Sequence, residues 1–219
     1  MNVLITGSSG MIGNLVLMHC LQDDKISQIR SLVRKPSGLH HQKLKEIVIQ
    51  NFEDYSQHNQ LFKDINIAFF CLGVYTGQVK DELFKKITVN YAVAFAKTLA
   101  NQSPQARICL LSGAGADRTE KSKTPFARYK GMAENQIATL PLEFYSFRPG
   151  YIYPVTPRNE PNYGYRLFRF LYPLMKIFGN KYSIPSTDLA NALYNVGING
   201  AEKQILENQD IFKYKNIMN

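Results

Sequence analysis

Three glycines at three-residue spacing, Gly7, Gly10 and Gly13, constrain most strongly how this chain can fold. They follow the apolar run Val3–Ile5 and open an apolar pattern of helical period, so they indicate a turn from a buried strand into a helix. In such a turn the first glycine permits a tight reversal, the second lets backbone approach a pyrophosphate, and the third lets the helix pack closely. The free N–H groups at the helix start favour an anion, although a glycine turn of purely structural role is the alternative. The residues predicted to hold a dinucleotide here are Thr6, Gly7, Ser9, Gly10, Met11, Ile12 and Gly13.

The rest of the chain alternates strand-like and helix-like patterns, which is typical of an α/β, doubly wound parallel sheet with helices on both faces. Further strands are predicted at Ile29–Val33, Ile47–Ile49, Ile65–Leu72, Arg107–Leu111, Glu143–Phe147 and Ile205–Phe212. Helices are predicted at Met11–Gln22, Glu53–Phe62, Asp81–Asn101 and Pro125–Leu140. A further helix is predicted to begin near residue 186, with Ser186 or Thr187 as its side-chain cap. The loop Gly113–Thr124 is expected to be mobile. At 219 residues the chain suits one domain, with room for a small appended lobe.

The ends of three predicted strands carry residues suited to the rest of a dinucleotide. Arg34 follows the second strand, where an arginine accommodates the 2′-phosphate of NADP and a carboxylate would select NAD. Asn51 and Phe52 follow the third strand and offer an amide and an aromatic surface to adenine. Cys71, Leu72 and Gly73 end the fourth strand, where backbone could again pass close to the cofactor. NADP is therefore the predicted cofactor, and an ordinary solvated strand end at Arg34 is the alternative.

Composition excludes several classes of function. The net charge is +9, but lysine and arginine are scattered along the chain, and the sequence contains no helix-turn-helix or RNA-binding signature, so nucleic acid is not an expected partner. No stretch reaches the roughly 18 apolar residues that would span a bilayer, and the first strand leaves no room for a signal peptide. A cytoplasmic monomer or homodimer is expected. The cysteines and histidines match no zinc spacing, so no metal site is predicted.

The aromatic stretch Tyr163–Phe178 also carries basic side chains. The favoured interpretation is a helix packed over the sheet that forms core and pocket wall. A substrate lid, a partner surface or a helix facing a membrane are the alternatives.

Taken together, these motifs resemble the short-chain dehydrogenase/reductase superfamily in its atypical or extended branch, and most closely the small NADP-binding proteins of the Tat-interacting type. The residues that carry the resemblance are Thr6–Gly13, Leu32–Arg34, Phe70–Gly73, Val89–Asn90, Leu110–Ser112, Gly115–Asp117, Lys130–Gly131 with Glu134, and Phe147–Gly150. The resemblance implies a cofactor site along the carboxyl ends of the strands, with Asn90, Lys130, Pro149, Gly150 and Ile152 among its residues. It also implies that residues 151–219 form the substrate side of a single domain, not a domain of their own.

In the superfamily a serine polarises the substrate carbonyl, a tyrosine transfers the proton, and a lysine four residues later lowers the tyrosine pKa and holds the nicotinamide ribose. Ser112 and Lys130 fit this pattern, but the residue four positions before Lys130 is Phe126, whose ring cannot transfer a proton. Tyr129 is a candidate catalytic residue, although it lies roughly 100° around the helix from Lys130. Tyr75 and Tyr151 are alternative proton donors from neighbouring loops.

Three functions remain open at this stage. The first is an NADP-dependent oxidoreductase acting on a small carbonyl, quinone or flavin-type acceptor. The second is an NADPH-binding regulator or scaffold that has lost the chemistry because of Phe126. The third is an enzyme similar to nucleotide-sugar epimerases and dehydratases.

Overall fold

The computed structural model describes residues 1–74, 77–155 and 182–216, and seven parallel strands in this part of the chain form one sheet. The strands are β1 (Asn2–Thr6), β2 (Gln28–Val33), β3 (Leu44–Val48), β4 (Ile67–Phe70), β5 (Arg107–Leu111), β6 (Glu143–Arg148) and β9 (Ile205–Glu207). Their order in the sheet is β3-β2-β1-β4-β5-β6-β9. The chain adds β2 and β3 on one side of β1 and then adds the remaining strands, from β4 onward, on the other side. This is the predicted doubly wound α/β fold, and its strand order places the crevice between β1 and β4 at the carboxyl edge of the sheet.

Helices cover both faces of this sheet. They are α1 (Met11–Gln22), α2 (Asp81–Lys85), α3 (Tyr91–Gln102), α4 (Pro125–Ala138), α5 (Ser186–Asn199) and α6 (Asn208–Ile211), with 3-10 segments at Ser56–Phe62 and Phe212–Tyr214. Alternate residues of β1 show the two layers, because Leu4 packs with α3 and α4 whereas Val3 and Ile5 pack with α1 and α5. Both faces of β1 are therefore buried, which explains its unbroken apolar run.

Most predicted elements are present, and the differences lie at several ends, inside one predicted helix, and at Glu53–Phe62, where the predicted helix is the 3-10 segment Ser56–Phe62. The pattern predicted as one helix over Asp81–Asn101 contains a π-helical turn at Lys86–Asn90 between α2 and α3. The predicted strand Ile205–Phe212 ends at Glu207, where Glu207 and Asp210 form a capping box that starts α6. At the start of α5 the cap residue is Pro185, and no side chain of the described residues makes a capping hydrogen bond there.

Hydrogen bonds to one carboxylate organise the loop Gly113–Thr124 in the structure. Asp117 accepts hydrogen bonds from the backbone N–H groups of Thr119, Lys121 and Ser122 and from the Thr119 hydroxyl, at 2.7–3.1 Å. These hydrogen bonds, that of Thr119 foremost, hold the pKa of Asp117 below its usual value. The segment before α4 therefore has a defined conformation that positions the start of that helix.

A second sheet continues the fold beyond β6. Strands β7 (Tyr151–Tyr153) and β8 (Ser183–Pro185) pair in parallel. Asn208 joins this pair to the main sheet, because its side chain accepts from Gly150 N at 2.7 Å and donates to Ser183 O at 3.0 Å. The predictions for Tyr163–Phe178 and Tyr75 lie outside the described residues. Within the described ranges, no helix combines the length and apolarity needed to cross a membrane.

Candidate cofactor and active site

The glycine turn after β1 has the backbone that its sequence predicts. Gly7 has φ +79°, a left-handed conformation that favours glycine, and a Cβ there would lie 2.5 Å from the Cys71 carbonyl carbon. A Cβ at Gly13 would collide with the Gly7 carbonyl, so the close approach that this glycine permits is to the turn itself. The turn therefore brings the start of α1 close to the end of β4.

The N-terminus of α1 is suited to an anion. Its cap residue is Gly10, no side chain among the described residues caps it, and its first turn contains no acidic residue. The N–H groups of the first helical turn thus keep their hydrogen-bonding capacity, and the helix dipole favours negative charge. Gly10, Met11 and Ile12 line a cavity, so these donors lie where a pyrophosphate would fit.

This cavity, of about 470 Å³, lies at the carboxyl edge of the sheet. The predicted residues that line it are Gly10, Met11, Ile12, Cys71, Leu72, Gly73, Ser112, Lys130, Pro149, Gly150 and Ile152. Tyr151, named above as an alternative proton donor, also lines it, together with Val74, Leu111, Gly113, Phe126 and Pro154, which were not predicted as site residues. The structure thus brings together the glycine turn, the ends of β4 and β5, α4 and the β7 segment, from five separate parts of the sequence.

Lys130 is anchored in the wall of this cavity. Its Nζ donates to the Leu111 carbonyl at 3.0 Å, which leaves two of its three N–H groups for other partners. Burial lowers the pKa of Lys130 to about 8, although the nearby Glu134 carboxylate acts in the opposite direction. A cation held at this position can bind a hydroxyl or carbonyl oxygen inside the cavity.

Ser112 lines the same cavity as Lys130 and is hydrogen-bonded to Glu134. The Ser112 hydroxyl donates to Glu134 Oε1 at 2.6 Å, and Ser146 donates to the same oxygen at 2.7 Å. Arg148 donates to both oxygens of this fully buried carboxylate. Burial raises the pKa of Glu134, but the hydrogen bonds from Arg148, Ser112 and Ser146 outweigh it and leave the pKa below its usual value.

An ionised carboxylate only accepts hydrogen bonds, so the single proton of Ser112 points at Glu134. Redirecting that proton toward a substrate would cost about 1.5–3 kcal/mol, the net value of a hydrogen bond to a charged group. The oxygen lone pairs of Ser112, and not its proton, therefore face the cavity.

Phe126 lies at the position that the resemblance assigns to a tyrosine. Its ring lines the cavity and packs against Gly113, where an added Cβ would collide with the ring tip. The phenyl ring thus contributes apolar surface next to Ser112 and Lys130 and provides no group that can transfer a proton.

Two predicted residues point elsewhere. The Tyr129 hydroxyl donates to Asp81 Oδ2 at 2.6 Å, and its ring packs on Phe84, so Tyr129 lies outside the described lining of the cavity. Tyr129 faces α2 and not the cavity because neighbouring residues on a helix point in directions roughly 100° apart, and Tyr129 directly precedes Lys130. Asn90 donates to Glu53 at 2.9 Å and lines a separate groove of about 630 Å³.

The remaining predicted residues have these positions. Arg34 is exposed after β2, and Asn51 is exposed after β3 with its side chain accepting from Glu53 N at 3.0 Å. Phe52 is buried against Tyr55 and Tyr91. Thr6 is buried and donates to Leu32 O at 3.3 Å, whereas Ser9 is exposed in the glycine turn.

Sequence reasoning did not assign a role to Glu134, Ser146 or Arg148. The signal available was Glu134 one helical turn after Lys130, on the same face of α4, together with an arginine at the end of β6. Charged residues at this spacing also form ion pairs on the surface, so the sequence did not show that Glu134 is buried.

One protein-family model covers most of the chain. The model of the NAD(P)H-binding family matches residues 7–196. No curated protein sequence matches the chain.

Among solved structures, yeast methylglyoxal/isovaleraldehyde reductase complexed with NADPH has a TM-score of 0.68 at 14% identity, over 94% of this chain and 77% of that one. The dTDP-glucose 4,6-dehydratase of Bacillus anthracis in complex with NAD has a TM-score of 0.66 at 16% identity, over 94% and 74% of the two chains. Glucuronic acid dehydrogenase from Chromohalobacter salexigens gives 0.63 at 13%, over 94% and 75%. At these identities the likeness concerns the fold. With the family match across the glycine turn, the sheet and the cavity, the chain belongs to the NAD(P)H-binding family of the short-chain dehydrogenase/reductase superfamily.

Proposed function

We propose that this protein is an NADP(H)-dependent oxidoreductase that reduces a small conjugated acceptor of the quinone or flavin type. The observation that carries the proposal is the pair Ser112 and Phe126. The cavity keeps the cofactor-binding turn and Lys130, but the serine proton is held by Glu134 and the tyrosine is replaced by phenylalanine. An acceptor that takes a hydride and spreads the resulting charge over a conjugated ring does not require a positioned proton donor.

Residues of this chain suit each part of the cofactor. The uncapped start of α1 would hold the pyrophosphate, Arg34 the 2′-phosphate, and Lys130 a ribose hydroxyl. When bound, NADPH would supply a hydride from its nicotinamide ring. Phe126, Leu72 and Ile152 would exclude water and present apolar surface to a flat acceptor. The segment after β6 would form the substrate side, because its residues Gly150, Tyr151 and Pro154 line the cavity.

Reduction of a simple ketone or epimerisation of a sugar fits this site less well. Both reactions need a group that gives or takes a proton at a substrate oxygen. In the described lining, Tyr151 is the phenol left for that task. Loss of quinone and flavin reduction in Tyr151→Phe, with NADPH binding intact, would therefore contradict the proposal.

The test measures NADPH oxidation by purified protein with matched panels of quinones, flavins and simple carbonyls. The wild-type protein is expected to reduce conjugated acceptors and to leave simple ketones nearly unreduced. Phe126→Tyr restores a phenol one helical turn before Lys130, so ketone reduction is expected to rise by about a hundredfold or more, the usual effect of a general acid. Phe126→Leu, which lacks a hydroxyl, controls for altered packing and is not expected to gain this activity.

Phe126 also favours a second candidate, an NADPH-binding regulator without turnover. That function predicts NADPH binding, no oxidation with any acceptor of the panel, and activity that appears only in Phe126→Tyr. Robust turnover by the wild-type protein would contradict it.

A further inference from the structure

The cavity is lined by a hydrogen-bond acceptor, Ser112, and by a hydrogen-bond donor, Lys130, whose Nζ bonds to the carbonyl of the residue directly before Ser112. Resting on the proposed function, we infer that the acceptor substrate is a ring that presents a cyclic amide edge, with an N–H directed at Ser112 and the neighbouring C=O directed at Lys130. Such edges occur in lactams, imides and the pyrimidine part of flavins. Quinones without an N–H would react but bind less tightly.

The acceptor half of this arrangement is Ser112. Its hydroxyl proton is directed to Glu134 Oε1 at 2.6 Å, and Arg148 and Ser146 hold that carboxylate in place. Rotating the hydroxyl away would leave a buried carboxylate with one hydrogen bond fewer. A ligand group next to Ser112 therefore meets oxygen lone pairs and has to be an N–H or O–H. A bare carbonyl oxygen at this position would be repelled.

The donor half is Lys130. Its Nζ is bonded to the carbonyl of Leu111, the residue directly before Ser112, so the ammonium and the serine belong to one short stretch of cavity wall. One N–H is directed to Leu111, and the others can serve a ribose hydroxyl and a ligand carbonyl. An adjacent N–H and C=O on a rigid ring match this pair, because they present both groups without conformational cost.

The remaining wall suits a flat ring. The apolar side chains of Met11, Leu72, Val74, Phe126 and Ile152 face the cavity, and its volume of about 470 Å³ is in the range of small-molecule sites. Few polar groups among many apolar ones is the arrangement by which such sites fix the orientation of a ligand.

The experiment compares riboflavin with N3-methylriboflavin, which lacks the imide N–H, by quenching of flavin fluorescence in the presence of NADP⁺. Methylation is expected to weaken binding to the wild-type protein by about tenfold or more, as loss of one buried hydrogen bond predicts. In Ser112→Ala the two flavins are expected to bind within about threefold of each other. Ser103→Ala is the matched control, because Ser103 is also a buried serine with a fixed partner, the Phe62 carbonyl at 2.8 Å, but lies outside the described cavity lining, and it should retain the preference.

Equal binding of both flavins to the wild-type protein would overturn the inference, as would failure of both to bind or a preference that persists in Ser112→Ala. If Ser112→Ala fails to fold, the comparison of the two flavins on the wild-type protein still tests the inference. A parallel assay of NADPH oxidation with menadione, which has no N–H, separates the two proposals. Menadione reduction without flavin discrimination would contradict the inference alone, whereas flavin discrimination without reduction of any acceptor would contradict the proposed oxidoreductase.

Discussion

Lys130 places an ammonium group inside the wall of the cavity, where Glu134 in α4 and Cys71 directly after β4 are the titratable groups that act on it. Ser112 and Tyr151 line the same cavity. Burial outweighs the attraction of Glu134 and lowers the pKa of Lys130 from 10.5 to about 8. In the unfolded chain the lysine titrates at its ordinary value. Between pH 8 and 10.5 the unfolded chain therefore binds more protons at this residue than the folded protein does.

This difference predicts how the stability of the protein without cofactor depends on pH. The energetic cost of burying the charge is fully present below pH 8 and is relieved as the pH rises toward 10.5, so this residue contributes a positive slope to the free energy of unfolding. In Lys130→Met the contribution should disappear. Urea unfolding of both proteins at intervals from pH 7 to pH 10 measures it, as the difference between two curves that share all other titrations. Parallel curves would mean that Lys130 keeps an ordinary pKa.

At the scale of elements, α4 is fastened to the sheet by Glu134. This side chain is fully buried and receives hydrogen bonds from Ser112 after β5 and from Ser146 and Arg148 in β6. Arg148 also reaches Glu207 at the end of β9 at 2.9 Å. One carboxylate therefore links a helix to two strands, and its cationic partner links it to a third.

Removal of one partner from a buried ion pair is costly because it leaves the other charge uncompensated. We expect Glu134→Ala to lower the free energy of unfolding by about 3–5 kcal/mol. Lys203→Ala breaks the exposed pair with Asp210 and should cost about 1 kcal/mol or less. Equilibrium denaturation of the two variants makes the comparison. A loss in Glu134→Ala no larger than that in Lys203→Ala would show that the buried pair is replaceable.

The limits of a helix or strand were predictable where one sequence feature determines them. The limits of α1 follow from the glycine turn and the apolar pattern, and they agree with the sequence prediction at both ends. The π-helical turn before α3 was not predicted, because apolar residues at three- and four-residue steps continue through it, from Leu83 to Phe95. Asn90, expected to position the cofactor, lies at the end of this turn, where it donates to Glu53 and lines another groove.

At the scale of the whole molecule, a dinucleotide would extend along the carboxyl edge of the sheet, from Arg34 after β2 to Lys130 beyond β5. The switch in strand order on either side of β1 leaves this edge open between the two helical layers. Residues far apart in sequence can thus contact one extended ligand. Arg34 would meet it at the adenosine end, well away from the cavity where reduction is proposed.

We expect Arg34→Ala to weaken NADPH binding by about tenfold to a hundredfold, because a charge-assisted contact to the 2′-phosphate contributes about 1.5–3 kcal/mol. NADH lacks that phosphate, so its affinity should change by no more than about threefold. Lys45→Ala, which removes an exposed charge on the neighbouring strand β3, controls for the general electrostatic effect. Isothermal titration with both nucleotides provides the measurement. Equal losses for NADPH and NADH in Arg34→Ala would mean that Arg34 does not bind the 2′-phosphate.

The sheet, and a cavity at its carboxyl edge, could be predicted because alternating apolar patterns and strand-end residues specify them directly. The chemistry inside the cavity could not, since it depends on which way hydroxyl protons and helix faces point. Ser112 occupies the expected position but donates to Glu134, and Tyr129 is a tyrosine on the expected helix but bonds Asp81. Such directions are set by long-range packing that sequence spacing does not encode.

The contact between Phe126 and Gly113 couples the shape of the cavity to the size of residue 113. A Cβ at position 113 would collide with the tip of the phenyl ring, so any larger residue there requires the ring to shift. Substitution of Gly113 is therefore a way to tilt the phenyl surface of the cavity without changing Phe126 itself.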